Sequence, residues 1–151
     1  MTIQEQLQVL NKLYKESDHI YSKLAARLGM ANSMFWILYA ISHSEEPLTQ
    51  NDLCNDYFFP VQTVNSTVTN LLKKGLIQLE FIPGTRNKKI LILTVKGKKF
   101  ADETINKVDE IEKNAFLMFT EEERETYISL YKRHIDYLKN AENHMIDSIS
   151  E

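Results

Sequence analysis

Apolar residues recur along this chain with two different periods, and the change of period divides it. From Ile3 to Leu28 the apolar positions Leu7, Leu10, Tyr14, Ile20, Tyr21, Leu24 and Leu28 fall mostly three or four apart. That spacing predicts one long amphipathic helix with a single face to bury. Gly29 is placed to stop it. The next segment, Ala31 to Ser44, contains Met34, Phe35, Trp36, Ile37, Leu38, Tyr39 and Ile41. A helix apolar nearly all round belongs at the centre of a fold.

After Pro47 the elements shorten. Thr49 followed by Asp52 predicts an N-cap for a brief helix, Gln50 to Tyr57, burying Leu53 and either Tyr57 or Phe58. Pro60 suits the first position of the following helix, Pro60 to Lys74, because its missing N–H is not needed there. Val64, Val68, Leu71 and Leu72 form the inward stripe of that helix. Its other face holds Gln62, Thr63, Asn65, Ser66, Thr69, Asn70 and Lys73. Gly75 closes it.

The period then drops to that of strands. Leu76 to Ile82 and Ile90 to Leu93 flank Pro83-Gly84-Thr85 and the run Arg86-Asn87-Lys88-Lys89, which predicts a β-hairpin with a basic tip. Helical spacing returns from Val95 to Asn114, with Thr94 as a cap. A last helix starts at a Thr120/Glu123 capping box and runs to about Ile146. The expected fold is mainly α with a small β-hairpin wing. It comprises a winged helix-turn-helix lobe at 31–99 and a helical lobe from 1–30 and 100–151, within one domain spanning 1–151.

Charge sharpens this division. The whole chain carries −3. Residues 49–99 hold eight Lys/Arg against three Asp/Glu, or +5, and the remainder is −8. Local positive potential is what meets phosphate. The polar face of the 60–74 helix adds specificity. Thr, Ser and Asn are mediocre helix formers, and an ordinary solvated face would be richer in Glu and Lys. Short amides and hydroxyls are what base edges and phosphates require at close range. The wing cations Arg86, Lys88 and Lys89, with Asn87, are suited to backbone phosphate or the minor groove.

Other chemistry finds little footing. His19, His43, His134 and His144 are scattered, and no ligand spacing, phosphate loop or nucleophile elbow is present. The expectation is therefore no enzyme, no cofactor and no metal site. A single cysteine, Cys54, precludes an internal disulfide and reads as a small, partly buried side chain. No run of eighteen apolar residues and no signal-peptide pattern occur, so the expected location is cytoplasmic, with no membrane partner.

The segments FPVQTVNSTVTNLLKKGLI (Phe59 to Ile77) and RNKKILILTVKG (Arg86 to Gly97), in this order of helices, resemble MarR-family transcriptional regulators over essentially the whole chain. The resemblance implies a homodimer interlocked through its first and last helices. It also implies double-stranded DNA as partner, with the fourth helix in the major groove. By position, Gln62, Asn65 and Ser66 would face bases, Thr63 and Thr69 would lie near phosphate, and Arg86 would be the wing-tip arginine. Lys73, Asn87, Lys88 and Lys89 complete the expected DNA-binding set. A small-molecule effector pocket is implied as well, with Tyr14, Tyr21, Trp36, Tyr39, Phe100 and Phe116 as candidate lining. The chain departs from the family pattern in two respects. Gly84 and Thr85 stand where an acid usually braces the wing arginine, and Val61 stands where a Lys commonly opens the recognition helix. The resulting expectation is a DNA-binding repressor on a pseudo-palindromic operator, released by an effector. The alternative is a winged-helix module whose partner is a protein.

Overall fold

The computed structural model describes residues 1–150 and holds six helices and one small sheet among them. The elements are α1 (Ile3–Arg27), α2 (Asn32–His43), β1 (Leu48–Thr49), α3 (Gln50–Asn55), α4 (Val61–Lys73), β2 (Ile77–Phe81), β3 (Lys89–Leu93), α5 (Val95–Phe116) and α6 (Glu121–Ile149). The antiparallel sheet has the order β1-β3-β2, with Leu48 opposite Leu91 and Phe81 opposite Lys89. The mainly α fold with a β-hairpin wing is as the sequence predicts. The chain divides into two compact units, Met1–Asp109 and Glu110–Glu151.

In the first unit the core is centred on α2. Phe35, Ile37 and Leu38 are fully buried with Leu53 of α3, Val64 and Leu71 of α4, Leu91 of β3 and Ile105 of α5. Burying one such side chain contributes about 1.5–3 kcal/mol, so these contacts fix how α4 is presented. His43 links α2 to α5. Its Nδ1 lies 2.8 Å from the Tyr39 carbonyl and its Nε2 3.0 Å from Asp109 Oδ2, so both ring nitrogens face acceptors.

Caps set most of the boundaries. The Thr49/Asp52 pair forms a full capping box on α3, and Thr120/Glu123 forms one on α6. Thr2 and Glu5 make a third on α1. Gly29 and Gly75 take positive φ after α1 and α4, where an L side chain would be strained.

At the junction of α4, β2 and α5 the backbones approach closely. The Thr94 amide donates to the Leu76 carbonyl at 3.1 Å. The Thr94 hydroxyl donates to the Gly75 carbonyl at 2.6 Å and accepts from the Gly97 amide at 3.0 Å. Lys96 Nζ reaches the Lys74 carbonyl at 2.9 Å. A Cβ on Gly97 would stand 1.8 Å from the Leu76 carbonyl oxygen, so only glycine fits there.

Several expectations are corrected. Pro60 is the N-cap of α4 and not its first helical residue: its ψ of 140° is extended, and its carbonyl accepts the first helical bond from Val64. The short helix α3 ends at Asn55, and neither Tyr57 nor Phe58 is buried. Phe59 packs against the core instead. Leu72 is exposed, and Thr67 takes the buried place on α4, its hydroxyl 3.4 Å from Ser33 Oγ. Along α1 the periodic residues Leu7, Leu10, Tyr14 and Ile20 are exposed, and Ala25 alone is fully buried. Periodicity specifies a face to be covered but not what covers it. In the second unit α6 has no buried residue, and Tyr127, Leu130, Tyr131 and Leu138 remain exposed.

Candidate nucleic-acid interface

Helix α4 is two-sided. Val64, Thr67, Val68 and Leu71 are buried, while Gln62, Asn65, Ser66, Thr69 and Lys73 are exposed. Thr63 is half-buried at the margin between these faces. Two hydroxyls have already committed their protons. Ser66 Oγ donates to the Thr63 carbonyl at 3.2 Å, and Thr69 Oγ1 donates to the Asn65 carbonyl at 2.8 Å. Such back-bonding fixes the side chains and leaves the oxygen lone pairs outward, as acceptors. Gln62 and Asn65 supply both donors and acceptors. The outer surface of α4 therefore offers a mixed, rigidly placed hydrogen-bonding pattern suited to base edges.

The wing presents Arg86, Asn87, Lys88 and Lys89, all exposed. Its tip is held by backbone geometry. Ile82-Pro83-Gly84-Thr85 forms a tight turn with Gly84 at φ 79° and the Thr85 amide bonded to the Ile82 carbonyl at 3.2 Å. Proline followed by a left-handed glycine is the type II pattern. The Thr85 hydroxyl donates to the same carbonyl at 2.8 Å, and the Ile82 amide donates to the Lys88 carbonyl at 2.9 Å. Lys89 is further steadied by its cross-strand partner: Nζ sits 4.8 Å from the centroid of the Phe81 ring.

Between the start of α3 and the wing lies a cleft of about 570 Å³, lined among others by Gln50, Asn51, Asn55, Asn87, Lys88 and Lys89. The three α3 amides were not among the expected site residues. Their signal in the sequence, amides just after an N-cap, becomes visible only once β1 places α3 beside the β3 strand.

The expected effector residues are partly brought together. Tyr21 and Trp36 have ring centroids 4.8 Å apart, and Trp36 and Tyr39 are 5.5 Å apart. All three pack against the core, as does Phe100. Tyr14 lies two turns earlier on α1, and Phe116 pairs with Phe119 and Tyr127 in the second unit. Among the described residues no group of three His, Cys, Asp or Glu is arranged to hold a metal ion, and no single helix is long and apolar enough to cross a membrane.

A helix-turn-helix followed by a basic β-hairpin, joined to long helices, defines a winged helix-turn-helix protein. Residues 28–86, α2 through the wing tip, match the model of the MarR family. No curated protein sequence gives a match. The whole chain has the fold of solved MarR-family structures. It is similar to a MarR family regulator from Neisseria meningitidis, with 24% identity, 95% of this chain and 97% of that one covered, and a TM-score of 0.74. It is also similar to MepR of Staphylococcus aureus in a DNA complex, at 22% identity, with coverages of 87% and 96% and a TM-score of 0.70. A third similar structure is MarR of Staphylococcus aureus in complex with salicylate and kanamycin, at 16% identity, coverages of 91% and 92%, and a TM-score of 0.71.

Proposed function

We propose that this chain is a sequence-specific, DNA-binding transcriptional regulator, acting as a homodimeric repressor on a pseudo-palindromic operator. The observation that carries the reading is the outer face of α4. Gln62, Asn65, Ser66 and Thr69 stand exposed on a helix whose other face is locked into the core, and a basic wing follows. Gln62, Asn65 and Ser66 read bases in the major groove, while Thr63, Thr69 and Lys73 lie near the backbone. Arg86, Asn87, Lys88 and Lys89 meet phosphate or the adjacent minor groove. The likeness to a DNA-bound MepR supports the same docking.

Dimerisation is supported by the uncovered apolar residues of α1 and α6. Two copies related by a twofold axis set their recognition helices one DNA turn apart. The salicylate-bound relative supports a small-molecule effector. Such a ligand releases DNA to the extent that it prefers the conformer with the wrong helix spacing. Tyr14, Tyr21, Trp36 and Tyr39 are the residues proposed to line its pocket.

The test is binding to the DNA upstream of the chain's own gene, against a random duplex, over a range of salt. The expected result is a preference for the upstream DNA that persists as salt rises. Equal binding to both duplexes at every salt would refute sequence-specific regulation and favour a protein as the partner of the winged helix.

A further inference from the structure

The turn before α4 exposes apolar surface to solvent. Phe59 takes the core position and its amide bonds to the Leu53 carbonyl at 3.1 Å. Phe58 beside it is 80% exposed and has φ 60°. A bulky residue in the left-handed region is strained, and glycine or asparagine would be the expected occupant. Strain of this kind is retained where the surroundings or the function demand it. Three residues on, Val61 is 62% exposed at the first position of α4. The first turn of α4 carries no charged side chain; the basic residue of the helix, Lys73, lies in its last turn. This end therefore brings no side-chain cation to phosphate.

We infer that Val61, flanked by Phe58, is an apolar reading element for the 5-methyl group of thymine, a specificity determinant that rests on the proposed DNA-reading role of α4. Val61 and Asn65 are four residues apart and so are neighbours in one row along the helix. Val61 is thus continuous with the proposed base-reading face. Residues at the N-terminal end of a recognition helix are those that reach base edges. On the floor of the major groove the thymine methyl is the one apolar group presented, and apolar side chains recognise it by contact. Gln62 and Asn65 supply the hydrogen bonds, and Val61 with Phe58 supplies the contact that hydrogen bonds cannot make.

The experiment uses the full chain and a duplex selected by it from a randomised pool, with each thymine replaced in turn by uracil. This substitution removes the methyl group and nothing else. At one position in each half-site, uracil is expected to weaken wild-type binding about fourfold, the worth of one methyl group. Val61→Ala is expected to abolish that discrimination and Phe58→Gly to reduce it. Both variants should keep the wild-type unfolding curve or improve on it, since glycine suits the φ of Phe58. Equal binding of every uracil duplex by the wild type would overturn the inference, as would discrimination that survives Val61→Ala. Discrimination unchanged by Phe58→Gly would overturn the part given to Phe58. Selection of a sequence in which uracil is neutral leaves the DNA reading standing and removes only this inference. Failure to select any sequence removes both.

Discussion

Gly97→Ala is expected to destabilise the first unit by at least about 3 kcal/mol, at the upper end of what overpacking a core costs. The reason is local and geometric. The added methyl would stand 1.8 Å from the Leu76 carbonyl oxygen and 2.8 Å from its carbon, and both are backbone atoms. No side chain can swing aside to relieve it, so α5 would have to move away from the α4–β2 corner. That movement also pulls on the Thr94 bonds to Gly75 and Leu76 and on the Lys96 bond to Lys74. Urea unfolding followed by circular dichroism checks the result, with Gly84→Ala as the comparison. Gly84 has open space around it and only its positive φ to lose, so its alanine should cost about 1 kcal/mol. Similar unfolding midpoints for the two variants would mean that the corner is not packed as described.

The second large effect is expected from replacing Arg86, Lys88 and Lys89 together by Ala. All three are exposed, so the fold should be unaffected. If each neutralises one phosphate, the six cations lost from the proposed homodimer make the slope of log K against log salt shallower by about 5.4, and binding weakens most at low salt. The preferred sequence should not change. Gln62→Ala is the complement: it should relax preference at one base pair, by about 1–3 kcal/mol of discrimination, and leave the slope as it was. A triple variant with an unchanged slope would remove the wing from the DNA contact.

What the sequence made legible was whatever depends on short-range pattern. The capping boxes at Thr49 and Thr120, the stops at Gly29 and Gly75, and the two-faced composition of α4 each follow from neighbours within a few residues. Features set by distant partners were not legible. The two-residue strand β1 has no period to detect and exists because β3 accepts it. Thr67 replaced Leu72 in the buried stripe because α4 lies at a particular rotation against α2, near Ser33. In the run Tyr57-Phe58-Phe59, three aromatic residues compete for one core place. Only the positive φ at Phe58 decides that Phe59 fills it. The periodic face of α1 was visible in the sequence, but whether a periodic face is covered is not a short-range property, and Leu7, Leu10, Tyr14 and Ile20 are exposed.

The wing tip bears on how this protein should be measured. An acid–arginine brace loosens as ions screen it, so a salt titration of such a wing mixes two processes, detachment from phosphate and melting of the loop. Here the tip is fastened by a Pro-Gly turn and by neutral bonds from Thr85 and Ile82 to carbonyl oxygens. Those fastenings carry no net charge. Raising the ionic strength should therefore strip counterion-dependent affinity from a loop whose shape stays constant, and the measured slope becomes a direct count of phosphates engaged.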